Sequence, residues 1–273
     1  MKKIVPLLLF LLPLTGCVKK TDWPVFGNDP SLIIVDAVLT DEKDIQTIRL
    51  THTTTNLNGI PAPITGADVH ISNEDSTWHF TESPANSGRY KTNNAFLAQT
   101  GKNYTLFISV QNKIYTAKAN MLEGATFKEL QYVKNTGNSL YHVDWVANAY
   151  SAEKAAQWEL LFDWSMVPGY QQADSASTHA RMLFYTLPTL DVSEIFAPEM
   201  EQISFPVGTN ITERRYSLTP QHAEFVRELM LETQWAGGYF NVASANVTTN
   251  LSSGAKGFFG LCAVTSLSVT VTP

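Results

Sequence analysis

Cysteine is almost missing from this 273-residue chain, which has two, Cys17 and Cys262. That count excludes a fold stapled by a framework of disulfides. Charge is also sparse. Asp, Glu, Lys and Arg make up 16% of the residues, and the formal net charge is −6. A mildly acidic balance argues against nucleic acid as a partner. No apolar run after the first residues approaches the about 20 that a spanning helix needs. No internal repeat is present, which weakens the reading of a structural or adhesive surface protein. The familiar catalytic signatures are missing too. There is no H-E-x-x-H pair and no G-x-S-x-G elbow, and Gly254-Ala255-Lys256-Gly257 lacks the rest of a phosphate-binding loop.

What is present begins at the N-terminus. Lys2 and Lys3 precede an apolar run from Ile4 to Leu14 that only Pro6 and Pro13 interrupt. This is the layout of a secretory signal, too short to cross a bilayer as a helix. The small pair Thr15-Gly16 then runs directly into Cys17, the pattern called a lipobox. Such a cysteine resembles the acylated residue of bacterial lipoproteins. Residues 1–16 are therefore expected to be a signal peptide, Cys17 the lipid attachment site, and residues 17–30 a tether. Two or more acyl chains hold a soluble domain durably, at about 0.8 kcal/mol per buried methylene. Cleavage removes two lysines and no acid, taking the net charge from −6 to −8. With Cys17 acylated, Cys262 has no disulfide partner. Its setting, Phe258-Phe259-Gly260-Leu261-Cys262-Ala263-Val264, predicts a buried, inert thiol.

From Ser31 to Met121 the chain alternates apolar and polar residues between turn formers. Strands are expected at Leu32–Leu39, Ile45–Thr53, Ala67–Ser72, Thr77–Phe80, from Ser87 to Tyr90, at Tyr104–Val110 and at Ile114–Ala119. Roughly seven short strands in about 90 residues predict an antiparallel β-sandwich of Ig-like or transthyretin-like type over residues 31–121. Tyr104 stands where a tyrosine corner would return its hydroxyl to the preceding loop. Residues 122–273 read as a second β-rich domain. Strands are expected at Tyr141–Trp145, Gln157–Trp164, Arg181–Leu187 and Val264–Thr272, with Pro168 to His179 as an exposed loop. One helix is predicted near 220–235, capped by Thr219, opened by Pro220 and closed by Gly237-Gly238. Phe225, Val226, Leu229 and Met230 form its apolar face, expected to rest on the second domain's sheet.

Several segments in order carry a resemblance: the lipobox leader, Asp29-Pro30-Ser31-Leu32-Ile33-Ile34-Val35-Asp36, Pro63-Ile64-Thr65-Gly66-Ala67-Asp68-Val69, Ser87-Gly88-Arg89-Tyr90, Gly101-Lys102-Asn103-Tyr104, and Asn250-Leu251-Ser252-Ser253-Gly254 through Gly260. Together they resemble the Bacteroidetes envelope lipoprotein family known as domain of unknown function 4249. The resemblance implies a two-part β-protein at the outer membrane, its lipid in the bilayer, beside a TonB-dependent receptor. It supplies no catalytic residue, cofactor or metal. Neither face of the outer membrane is favoured.

Few residues offer themselves for chemistry. His70 and His79 are expected to face each other on adjacent strands, where Asp68 could complete a metal site; on the solvent face of a hairpin they read as surface polar residues. Glu159 and Asp163 share strand parity among Trp158, Phe162 and Trp164. Four residues along a strand separate them by roughly 13 Å, too far for a glycosidase pair. No catalytic, metal or cofactor residue is assigned. The function expected is a lipid-anchored, non-catalytic binding or accessory module, with a lipid-anchored hydrolase as the alternative.

Overall fold

The computed structural model describes residues 32–54, 59–93, 96–148, 154–188, 202–233 and 247–273. The leader, Cys17 and the tether lie outside these residues, as do Gly237 and Gly238. The protein is mainly β. Seven strands come first: β1 (Ile33–Thr40), β2 (Thr47–His52), β3 (Asp68–Ser72), β4 (Thr77–Glu82), β5 (Arg89–Thr92), β6 (Asn103–Val110) and β7 (Lys113–Asn120). They follow from period-two patterning with one buried face. Val69 and Ile71, or Leu106 and Ile108, are fully buried while their neighbours are not. Each such side chain contributes about 2 kcal/mol of transfer free energy. Gln111 and Asn112 take φ of 50° and 62°, joining β6 to β7 through the kind of tight turn that suits the twist of a hairpin.

The second half adds β8 (Gln131–Lys134), β9 (Tyr141–Trp145), β10 (Ala156–Asp163), the short α1 (Ser175–Thr178), β11 (His179–Thr186), β12 (Asn210–Ser217), α2 (Pro220–Thr233), β13 (Ala255–Cys262) and β14 (Val264–Thr270). The short helix α1 interrupts the segment expected to be an exposed loop, with Asp174 accepting from the Ser177 N–H at its start. β8 and β9 pair as a separate hairpin, and a four-stranded antiparallel sheet runs β11-β10-β12-β14.

The large sheet runs β13-β1-β2-β5-β4-β3-β6-β7, so a strand from residues 122–273 completes the sheet built by residues 31–121. β13 lies parallel to β1, with Ile33 opposite Ala255 and Thr40 opposite Cys262. The sheet is rolled so that its end strands meet, through bridges between Met121 and Leu261 and between Ala117 and Leu251. Asn250 stitches this seam. Its amide donates to the Phe259 carbonyl at 2.7 Å and the Lys118 carbonyl at 3.1 Å, and accepts from the Phe259 N–H at 3.0 Å. Leu251, Ala255, Phe259 and Leu261 therefore belong to the same core as Val35 and Leu106.

Two tyrosines pin the loops of this sheet. Tyr104 Oη accepts from the Gln99 N–H at 2.8 Å, five residues upstream, as a tyrosine corner does. Tyr90 Oη donates to the Ile64 carbonyl at 2.8 Å and accepts from the Ala67 N–H at 3.0 Å.

Helix α2 starts where expected, with Thr219 Oγ1 accepting from the His222 N–H at 3.2 Å. Its inner face corrects the expectation. His222, Ala223, Val226 and Met230 are buried, whereas Leu229 is 41% exposed. The helix also lies against β13 of the large sheet, where His222 and Phe225 stack on Phe258 at 4.7 and 4.8 Å. Leu187, Leu218 and Cys262 join the same cluster. The helix thus caps the seam between the sheets, because β13 leaves the large sheet at Cys262 and re-enters the small one as β14 after Ala263.

Candidate functional site

Strand β12 reads Asn210-Ile211-Thr212-Glu213-Arg214-Arg215-Tyr216-Ser217, and its odd-numbered residues are all buried. Two of those inward positions are charged. On this face Arg215 lies opposite Trp158 and Glu213 opposite Leu160 of β10. The segment between β7 and β8 crosses over them. Its Phe127 meets Trp158 edge-on at 4.8 Å, and its Leu130 N–H donates to Glu213 Oε2 at 3.1 Å.

Between that segment and the sheet lie two adjoining hollows of about 240 and 460 Å³. Both are lined by Ala125, Thr126, Lys154 and Arg215; Trp158 and Lys128 belong to the smaller and Glu123 to the larger. Among the described residues, three cations and one acid line these hollows.

Arg215 is the unusual group in this cleft. It is only 4% exposed, its guanidinium stands 5.6 Å above the Trp158 ring, and Nη2 donates to the Lys154 carbonyl at 3.0 Å. Nη1 is buried and has no hydrogen-bond partner among the described residues. Burial pulls its pKa down from the ordinary arginine value. The starting value is so high that the group keeps its charge at neutral pH. Glu213 is buried on the same face with Oε1 unpaired among the described residues, and burial, with Glu129 nearby, pushes it up to about 7 against the Leu130 hydrogen bond. Chemically, the cleft offers a desolvated cation, with one N–H group unpaired among the described residues, beside an indole wall. That combination suits an anion carried on a flat or apolar body.

The opposite face of the same sheet is occupied by a closed polar knot. Glu159 accepts from Tyr216 Oη at 2.6 Å, Arg181 Nε at 2.6 Å and Arg214 Nη1 at 3.0 Å. Arg214 also meets Glu42 from the β1–β2 turn, joining the two sheets. Burial raises the Glu159 pKa, but the hydrogen bonds from Tyr216 and Arg181 and the charges of Arg181 and Arg214 outweigh it and leave it lowered. Asp163 is engaged separately, with Ser165 and with His179 at 3.4 Å. The two carboxylates share a face but not a site.

A family model described as Domain of unknown function (DUF4249) matches residues 21–268. The chain belongs to this family. No curated protein matches it. Two of the segments that resemble DUF4249 have structural tasks among the described residues. Asn250 to Gly260 forms the seam that closes the large sheet, and Pro63 to Val69 is held by Tyr90 of the Ser87–Tyr90 segment.

Of the residues singled out in the sequence, Cys17 lies outside the described residues. Asp68, His70 and His79 are brought together, one potential ligand atom from each within 4.8 Å of the others. Cys262 is fully buried, and burial, followed by the charge of Asp41, pushes its thiol up to about 12. It has a companion that sequence reading missed, since His222 Nδ1 lies 3.7 Å from its sulfur. Burial holds His222 down at about 4, so both groups are neutral and no thiolate–imidazolium pair forms. Arg215 also went unnoticed. Its signal was a charge at inward strand parity, hidden within the run Glu213-Arg214-Arg215.

Proposed function

We propose that this chain is a lipid-anchored, non-catalytic binding module of the bacterial envelope whose cleft beside Trp158 takes a small organic anion. The observation that carries the binding half is the buried Arg215, which lines the cleft and whose Nη1 has no partner among the described residues. Leaving a buried donor unsatisfied costs about 1–3 kcal/mol, more for a charged group, and a ligand carboxylate would remove that cost. An apolar wall with a few convergent polar groups is the usual make-up of a small-molecule site. The anchoring half is supported by the lipobox at Cys17, and the proposed neighbour is an outer-membrane TonB-dependent receptor.

A tag-free soluble form starting at Val18 should bind benzoate saturably in calorimetry and by indole fluorescence. The neutral isostere benzamide should bind far less, and Arg215→Gln should lose the benzoate signal. Equal binding of both compounds, or benzoate binding that survives Arg215→Gln, would remove the anion site. For the native lipidated chain, mass spectrometry should find acyl groups on Cys17. Capture from membranes in mild detergent should bring down a β-barrel receptor, and recovery of the chain alone would end that partnership.

A further inference from the structure

The cleft lies on the second sheet, and a separate constellation occupies the outer face of the rolled sheet. The β3–β4 hairpin places His70 opposite His79, and β6 on the other side of β3 places Phe107 opposite His70. The imidazole rings of His70 and His79 are 5.4 Å apart. Phe107 stacks on His70 at 5.0 Å with the planes inclined by 16°, which backs the ring and restricts its rotation. Asp68, two residues before His70 and on the same strand face, brings Oδ1 to 3.9 Å from His70 Nδ1. That nitrogen is shut off from solvent and has no hydrogen-bond partner among the described residues.

A buried ring nitrogen in this state is either a donor without an acceptor or a lone pair without an occupant. Each carries the cost of a desolvated polar atom. A cation held between the two imidazoles and the carboxylate would satisfy it. Two nitrogens and one carboxylate oxygen are a donor set for a borderline divalent metal, zinc above all. Calcium and magnesium prefer an all-oxygen shell. The ligand atoms lie within 4.8 Å of one another and need to draw in somewhat around one ion. Rotation of the Asp68 and His79 side chains towards the held His70 ring would supply that movement, with the backbones fixed by the strand register.

We infer that Asp68, His70 and His79 form a zinc-binding site on the β3–β4 hairpin, with His70 backed by Phe107 and the remaining coordination positions open to solvent or a partner's side chain. The inference is independent of the anion cleft. Neither site contains a residue of the other.

The test uses the tag-free chain, stripped with chelator and titrated with zinc chloride alone by calorimetry. One equivalent should bind saturably, and the thermal midpoint should rise with zinc. Cobalt at the same site should give visible absorption of a nitrogen–oxygen shell. His70→Ala and His79→Ala should each weaken binding by about 100-fold, at least the loss seen when even an outer-shell support is removed. Asp68→Asn should weaken it less. His179→Ala, which breaks the separate His179–Asp163 pair, should change nothing. His79→Gln, a milder change, guards against a hairpin that fails to fold, and circular dichroism verifies each variant. Failure to saturate, binding of several equivalents, or binding unchanged by both histidine variants would overturn the site.

Discussion

A β-carbon placed on Gly257 would sit 2.0 Å from the carbonyl oxygen of Val35, its partner across the parallel β1–β13 pair. Gly257 also holds φ at +101°, a backbone conformation that side chains resist. Gly257→Ala should therefore force β13 away from β1 and lower the denaturation midpoint severely, or abolish soluble expression. Gly66→Ala is the matched comparison. It has φ of +68° but nothing within 4 Å, so it should cost only the backbone strain of about 1–2 kcal/mol. Urea melts of the two variants would separate steric overlap from strain.

The division of the core between distant segments gives a second expectation. Residues 32–121 expressed alone would lack Leu251, Ala255, Phe259 and Leu261, and would leave the edge of β1 bare. Such a fragment should show no cooperative melt and should aggregate. Co-expression with residues 247–273 should restore some soluble material. A fragment that melts cooperatively on its own would show the C-terminal strand to be dispensable.

Glu159 sits with its side chain only 9% exposed, while Arg181 is 57% exposed. Removing a buried carboxylate strands Arg214 and Tyr216 Oη, so Glu159→Ala should cost about 3–5 kcal/mol. Arg181→Ala and Glu42→Ala act at the wet ends of the network and should each cost about 1 kcal/mol or less. Because the Glu159 pKa is lowered in the fold, its contribution is present at neutral pH and fades as the carboxylate is protonated in acid. Chemical denaturation at pH 7 and pH 4 would show the cost of Glu159→Ala shrinking.

Two buried groups pull the pH profile in opposite directions. Glu213 rises from 4.5 to about 7 on folding, so the fold binds more protons between those values and stability falls as pH rises through them. His222 drops from 6.5 to about 4, so stability falls as pH drops through that window. Each shift corresponds to about 3 kcal/mol at most. Because the windows overlap and the slopes oppose, Glu213→Gln should leave stability rising with pH from about 4 to 6.5, and His222→Phe should leave it falling from 4.5 to about 7. Unfolding free energies measured at half-unit steps would show whether each variant removes its own limb.

In a leaderless chain without Cys17, the thiol of Cys262 should be inert towards a thiol-reactive dye until denaturant is added, when one sulfur should react promptly. Fast labelling of the native protein would contradict its complete burial.

How far the fold could be read from the sequence depended on whether each strand has one buried face or two. β3, β4 and β6 show a buried face against a wet one, so Val69, Ile71, Phe80 and Leu106 announce themselves by alternation. The facing of His70 and His79 follows from that register. β13 is buried from Phe258 to Cys262 without alternation and carries two glycines, so nothing in Ala255-Lys256-Gly257-Phe258 marks a strand. The start of the helix was legible because Thr219 and Pro220 act locally. Its partner was not, because that depended on where β13 goes. Arg215 escaped notice since three consecutive charges read as solvated, and only pairing with Trp158 turns the third inward.

The parallel alignment of β1 with β13 also governs how the molecule comes into being. Ile33 meets Ala255 more than two hundred residues after it is synthesised. A nascent polypeptide emerging N-terminus first carries an unsatisfied edge on β1 until β13 has been made. Closure at such separation is slow, and open edges in transit invite intermolecular association. Maturation of this protein should therefore lean on holding chaperones until β13 arrives.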